Sequence, residues 1–262
     1  MTKSWTIGGI VLRIVVVLIA GFLLLPTIII IPISFTPGNT VAFPPAGLSL
    51  RWYEAVFNDP AWLSAMSSSL KIALLTVVLS VVMGTAAAVG LFRGNFPMKT
   101  VIRGLVLSPL VTPVIVLAIG TFMVFARWGL AGSYAGLVIA HTVLALPFVI
   151  VSVTASLHTL NANLELASLG LGAGPWRTFF RVTLPLILPG VTAGAIFAFI
   201  TSWDEVVSAI FLTTPSLRTV PVLVWGQVRT ELSPAVAAVG TVLIAISAAG
   251  LGASLFFRRA SS

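Results

Sequence analysis

Two adjacent carboxylates, Asp204 and Glu205, lie in the apolar run "FAFITSWDEVVSAIF". In the middle of a membrane helix a charge costs at least ~2.5–3.5 kcal/mol even on lenient insertion scales, so such acids mark a cavity, a pathway or a partner. Successive helical positions diverge by about 100°, so the two acids cannot point the same way. Helical spacing puts Asp204 on one face with Phe197, Ile200, Thr201 and Ser208, flanked by Trp203. A carboxylate beside an aromatic face suits a desolvated ammonium group, through charge and cation–π attraction. Glu205 then faces a neighbouring helix or subunit. The alternative is that both acids make inter-subunit or gate contacts unrelated to any solute. His141 has no matching acid nearby and reads as a packing residue, and His158 as an interface or headgroup contact. No Ser-His-Asp arrangement, metal-ligand cluster or glycosidase-type acidic pair can be assembled from this sequence.

The elements that must hold these acids are membrane helices. Of the 262 residues, 58% are hydrophobic and 8% charged, against about 25% charged in an ordinary soluble domain. Such a chain would leave large apolar patches in water. A helical crossing takes roughly 20 mostly apolar residues, and six segments qualify: 10–33, 63–91, 102–125, 134–156, 184–212 and 234–257. The segments are too long for barrel strands, and the first is too long for a signal peptide. The fold class is therefore an all-α membrane protein with one transmembrane domain over 1–262. Pro109 and Pro113 in "SPLVTP" remove backbone donors, so the third span should kink or partly unwind.

Charge placement orients the chain. Lys3, Arg13, Arg93, Lys99, Arg103, Arg177, Arg181, Arg258 and Arg259 fall on one side, and Arg51, Lys71, Arg127, Arg218 and Arg229 on the other. Nine basic residues against five put both termini in the cytoplasm. The net charge of +8 is mostly this topology signal, and no basic domain remains to bind nucleic acid. The chain has no cysteine, which excludes disulfides and thiolate metal sites. No Gly-Lys pair exists to build a nucleotide-binding loop, so any energy from ATP comes from another subunit.

One cytoplasmic segment, 157–183, breaks the apolar rhythm. Within "NANLELASLGLGAGPWRTFFRVTLPLILPG", Leu164, Ala167 and Leu171 recur on one side of a short helix. Asn161 or Asn163 can cap its start, and Glu165 in the first turn suits the dipole. Gly170, Gly172, Gly174 and Pro175 end it. This is either a knob for a partner's groove or a helix lying on the membrane. Outside, Ser49 can cap a helix over "LRWYEAVF" with Trp52, Val56 and Phe57 on one side. That helix reads as an interfacial anchor or a docking element, and Trp225, Gln227, Arg229 and Glu231 belong to the last outer loop.

The 157–183 segment resembles the EAA loop of ABC importer permeases, whose pattern is Glu-Ala-Ala, three residues, Gly, nine residues, Ile-x-Leu-Pro. Here the register reads Leu166-Ala167-Ser168, Gly172, and Val182-Thr183-Leu184-Pro185. Leu166 stands at the family's acid and Ser168 at its second Ala, while Glu165 lies one residue earlier. "LSLRWYEAVF", "SSLKIALLTVVLS", "SPLVTPVIVLAIG" and "ITSWDEVVSAIFL" are similar to the spermidine/putrescine branch. The resemblance implies type I importer architecture in a bacterial inner membrane, within membrane lipid. It implies a homologous second permease, two ATPase subunits that hold ATP and Mg, and an extracytoplasmic solute-binding protein. The chain itself would need no cofactor.

Coupling to the ATPase would then fall to Glu165, Leu166, Ala167, Ser168, Leu171, Gly172 and Arg177. A solute pathway would use Asp204, Trp203, Glu205, Thr201 and Ser208, and the binding protein would dock near Trp52, Glu54 and Arg229. The solute is left open among polyamines, amino-acid derivatives, organophosphonates and other solutes that relatives carry, with Asp204 favouring a cation. The rival is a proton-coupled secondary transporter using Asp204, Glu205 and His141, which would work without any ATPase.

Overall fold

The computed structural model describes residues 7–230 and 233–260. Lys3 and Glu231, which enter the charge and loop assignments, lie outside them. The described chain is helical, and its single β-type pairing among those residues joins Thr214 to Leu217. The helices are α1 (Ile7–Ile33), α2 (Arg51–Asn58), α3 (Pro60–Arg93), α4 (Lys99–Leu107), α5 (Val114–Arg127), α6 (Tyr134–Thr159), α7 (Ala162–Gly170), α8 (Pro175–Thr178), α9 (Leu184–Trp203), α10 (Val207–Leu212), α11 (Val220–Thr230) and α12 (Pro234–Ala260). A 3₁₀ turn (Ser108–Leu110) follows α4, and a π-helical turn (Phe179–Thr183) joins α8 to α9. The chain forms two compact units, Met1–Pro60 with Gly226–Ala248 and Ala61–Trp225 with Ala249–Ser262.

Four helical stretches are long and apolar enough to cross a bilayer: Val11–Ile33, Pro60–Arg93, Tyr134–Thr159 and Pro175–Trp203. A fifth crossing is counted if Lys99–Leu110 and Val114–Arg127 form one broken span, bent by 103°. The prolines of the third span sit at this bend, and the reason is visible in the hydrogen bonds. Pro109 cannot donate to Leu105, four residues back, and the Ser108 hydroxyl bonds that carbonyl instead at 2.8 Å. The Thr112 hydroxyl bonds the Ser108 carbonyl, also at 2.8 Å, and Pro113 turns extended at ψ 127°. The Leu105 carbonyl also accepts the Ser108 amide, and the Ser108 carbonyl the Val111 and Thr112 amides. Hydroxyls and short-range backbone bonds together keep the bend satisfied in a membrane interior.

The second unit is built on the crossing of α6 and α9. Ala145, Val149, Ile150, Val153 and Leu157 pack with Ile187, Val191 and Ala198, and Ala88 of α3 joins them. Gly190 and Gly194 carry this approach. A Cβ at Gly190 would sit 2.3 Å from Ser156 Oγ and 2.6 Å from the Ser152 carbonyl, and one at Gly194 2.9 Å from Val149 Cα. Gly84 of α3 meets Val149 as tightly, at 2.7 Å from Cγ1. Lipid tails are as apolar as leucine, so close van der Waals packing through small residues replaces the hydrophobic drive for helix association. A second cluster joins Ile72, Phe125, Leu137, Val138, Ala140, Ala209 and Leu212, which holds α10 against α5 and α6.

In the first unit, α2 starts one residue later than the sequence suggests, at Arg51. Ser49 still contributes, because its hydroxyl accepts from the Arg51 amide at 3.1 Å. Tyr53 and Ser34 hydroxyls meet at 2.7 Å, fixing α2 beside the end of α1.

Candidate functional site

The fifth apolar segment corrects the sequence reading. A continuous span over 184–212 was expected, with both acids in mid-helix. Instead α9 ends at Trp203, with the Asp204 amide making its last helical bond to Ile200 at 3.1 Å, and α10 begins at Val207. The Glu205 carboxylate accepts the Ser208 amide at 2.7 Å. Glu205 lies one residue ahead of Val206, the N-cap of α10, and its carboxylate takes an amide of the first turn, a local bond that competes with a continuous ladder. The acid pair that marks the site therefore lies at an interruption of the helix, and Glu205 bonds the start of the next one.

This break separates residues expected to act together. Asp204 is exposed and Thr201 half-buried. Ser208 is buried on α10, so it shares no helical face with Asp204. Trp203 is also buried and stacks on Phe199 with ring centroids 5.4 Å apart. It packs rather than offering its face to an ammonium group. The more exposed aromatic on α9 is Phe197, stacked on Phe148 of α6 at 6.1 Å. One turn from the break, buried His141 Nδ1 meets the Ser202 hydroxyl at 2.8 Å, while Nε2 has no partner among the described residues. The Nδ1 bond ties α6 to α9.

The 157–183 segment folds as a helix, a turn and a second helix fused to the span. Asn161 caps α7, accepting the Asn163 amide at 3.0 Å. At its far end the Gly172 amide bonds the Leu169 carbonyl and the Ala173 amide bonds Ser168, both near 3 Å (3.0 and 3.1 Å). Gly172 sits at φ +84°. This is the Schellman arrangement, whose left-handed residue is normally glycine. From Pro175 the chain stays helical into α9 through the π turn, so the second helix of this loop passes directly into the span.

The two faces of α7 differ in kind. Glu165 and Ser168, three residues apart, turn inward. Glu165 is ion-paired with Arg93 at the end of α3 and accepts a hydrogen bond from the Thr183 hydroxyl. Arg93 also donates to Thr183 at 3.1 Å, and the Ser168 and Thr178 hydroxyls meet at 3.0 Å. Leu164, Leu166, Ala167 and Leu171 face outward, Leu166 at 64% and Leu171 at 89% exposure. Arg177 and Trp176 on α8 are exposed too. The inward role of Glu165 was not legible in the sequence, since Arg93 lies 72 residues earlier.

The residues expected to meet a binding protein lie in the first unit. Trp52 is half-buried, and its indole donates to the Gly38 carbonyl at 3.1 Å. The Arg51 guanidinium lies over the Trp52 ring at 4.9 Å. Glu54 and Arg229 are exposed.

Long apolar helices, one broken at paired prolines and another ending at an exposed acid, with a rigid amphipathic knob fused to a span, define a membrane transport subunit. Residues 76–260 match the family described as binding-protein-dependent transport system inner membrane component. The chain is 31% identical to the spermidine/putrescine transport system permease protein PotC of Escherichia coli K12, covering 87% of this chain and 86% of that one. It is also 31% identical to the putrescine permease PotI of the same strain, over 88% and 85%. The trehalose permease SugB of Mycobacterium tuberculosis matches at 31% as well, over 87% and 86%. A bacterial ABC transporter that imports the acidic polysaccharide alginate shares the fold at TM-score 0.70 and 18% identity, covering 99% of this chain and 98% of that chain. The chain belongs to this family and is the permease subunit of an ABC importer, not an enzyme. ATP hydrolysis resides in a separate subunit.

Proposed function

We propose that this permease crosses a bacterial inner membrane six times with both termini cytoplasmic, and moves a cationic organic solute inward by alternating access. The sixth crossing would be α12, and the bent α4–α5 pair would count as one. The chain would pair with a homologous permease and with two ATPase subunits that bind ATP and Mg, and would receive its solute from an extracytoplasmic binding protein docking near Trp52, Glu54 and Arg229. Supporting the last partner, one fold neighbour is an alginate transporter in complex with an alginate-bound periplasmic protein.

The observation that carries the solute assignment is Asp204, an exposed carboxylate at the point where α9 stops. A helix end in a membrane is tolerated where the freed backbone lines a cavity or is buried in protein, and an acid there attracts a cation. Thr201 would add a hydroxyl on the same path, while Trp203, Glu205 and Ser208 hold the break in shape. Polyamine permeases among the relatives agree with this charge. The equal identity to a trehalose permease makes Asp204, rather than overall similarity, the deciding feature.

Coupling would run through α7. Leu166, Ala167, Leu171 and Arg177 would contact the ATPase, and Glu165, Ser168 and Gly172 would hold the knob to the span. A groove closing on α7 would then tilt α9 and the Asp204 break as one body. The test is uptake into proteoliposomes carrying the four-subunit complex and its binding protein, with labelled putrescine and labelled trehalose as competing solutes. ATP-dependent putrescine uptake is expected. Trehalose uptake, or transport without the ATPase, would overturn the reading.

A further inference from the structure

Beside the α7 end of the second unit lies a cavity of about 200 Å³ that the transport reading does not use. Lys99 and Arg103 of α4 line it together with His158 of α6. Lys99 and Arg103 are four residues apart and so share one face of α4. Lys99 Nζ donates to the Gly94 carbonyl at 2.8 Å, which fixes the ammonium and leaves its other protons for a ligand. His158 is held edge-on to Phe92 with ring centroids 4.9 Å apart. The floor is apolar, with Ile150 buried beneath and the Thr154 hydroxyl as a further polar group.

Among the described residues, no carboxylate lines this cavity. Glu165, at the start of α7, is occupied by Arg93 and Thr183. Like charges one turn apart on a helix are unfavourable, and fixing them around a concave site calls for an anion to bridge them. The opposite side of α4 indicates what carries that anion. Val101 is 50% exposed and Leu105 66% exposed, so α4 is amphipathic with a cationic and an oily side. Its direction turns by 103° into α5. With α5 entering the bilayer, this bend turns α4 toward the membrane plane, where interfacial amphipathic helices lie.

We propose that Lys99, Arg103 and His158 form a binding site for the phosphodiester of an anionic phospholipid in the leaflet against which the oily side of α4 lies. Basic pockets between membrane helices on the cytoplasmic side hold such headgroups. The leaflet assignment rests on the orientation proposed above; the site itself does not. A bound lipid would join α4 to the ends of α3 and α6, next to the Arg93 contact that holds α7.

The experiment counts lipids retained by the purified complex in native mass spectrometry. The complex is exposed to vesicles of phosphatidylglycerol, of phosphatidylcholine, or to inorganic phosphate alone. Phosphatidylglycerol should be retained over phosphatidylcholine by about thirtyfold, the scale expected of two basic residues at a membrane surface. The double variant Lys99→Gln/Arg103→Gln should bring the ratio near one, Arg103→Lys should keep most of it, and Lys71→Gln should leave it unchanged. An unchanged preference in the double variant would overturn the site. So would protection by phosphate alone, which marks a free-anion site. A preference that appears only when the ATPase is absent would mean that a protein carboxylate occupies the cavity, and would also overturn it. The lipid count on the complex needs no solute, so it reads the lipid site even if solute uptake fails, and the two readings fall separately.

Discussion

Arg93 in the last turn of α3 is ion-paired with Glu165 in the first turn of α7, and both meet the Thr183 hydroxyl in the π turn before α9. Three elements that are distant in sequence converge on one carboxylate. Glu165 therefore sets the angle at which α7 leaves the body of the permease, and its outward neighbours are left to meet a partner. Arg93 is 38% and Glu165 18% exposed, so the pair contributes on the order of 1 kcal/mol or less to stability. Its larger role is mechanical. Glu165→Gln or Arg93→Gln should lower solute moved per ATP hydrolysed, with little change in Tm. The exchanged pair Arg93→Glu/Glu165→Arg should recover part of that ratio. Equal coupling in the single variants would remove the role.

Gly172 ends α7 at φ +84°, and no atom lies within 4 Å of the place a β-carbon would take. Space is not the obstacle; backbone conformation is. A residue with a Cβ costs about 1–2 kcal/mol there, and the Schellman bonds would open before the rest of α7 moved. Gly172→Val is expected to leave ATP hydrolysis running while uptake falls, read as the ratio of the two rates. Unchanged uptake would show that the end of α7 need not be held.

Gly190 and Gly194 differ, since their φ is ordinary and space decides. A Cβ at Gly190 would overlap Ser156 and the Ser152 carbonyl, so Gly190→Val forces α6 and α9 apart. Overpacking of this kind costs about 1–3 kcal/mol. The expected result is a lower Tm and loss of assembled complex. Gly120→Ala in α5, where nothing lies within 4 Å, should leave both unchanged.

Much of this architecture could be read from composition and period alone. The apolar segments, the proline break and the short loop helix all rest on local signals, namely run length, missing donors, and an Asn start with glycine stops. The contacts that organise the site are long-range. Arg93 and Glu165 are 72 residues apart, and His141 and Ser202 are 61 apart. The glycine spacing at 190 and 194 was present as a small-xxx-small signal, but its partner face on α6 was not. The end of α9 was missed because apolar continuity through Val206 and Val207 outweighed one local cue. That cue was an acid three residues ahead of Ser208, able to bond the next helix's amide.

That cue yields different expectations for the two acids. Glu205 accepts the Ser208 amide, so Glu205→Gln, which keeps an oxygen acceptor, should be mild. Glu205→Ala loses the bond to the Ser208 amide, at a cost of about 1 kcal/mol, and should lower Tm. Asp204 is exposed, and it is the backbone amide of this residue, not its carboxylate, that bonds Ile200. Asp204→Asn therefore keeps the fold and removes only the charge. Loss of a single favourable charge contact worth about 1.4 kcal/mol lowers affinity about tenfold. Putrescine uptake should fall by at least that scale while the ATPase still copurifies. If the Asn variant transports at the original rate, the acid at the helix break does not meet the solute, and a neutral substrate becomes the better reading of this permease.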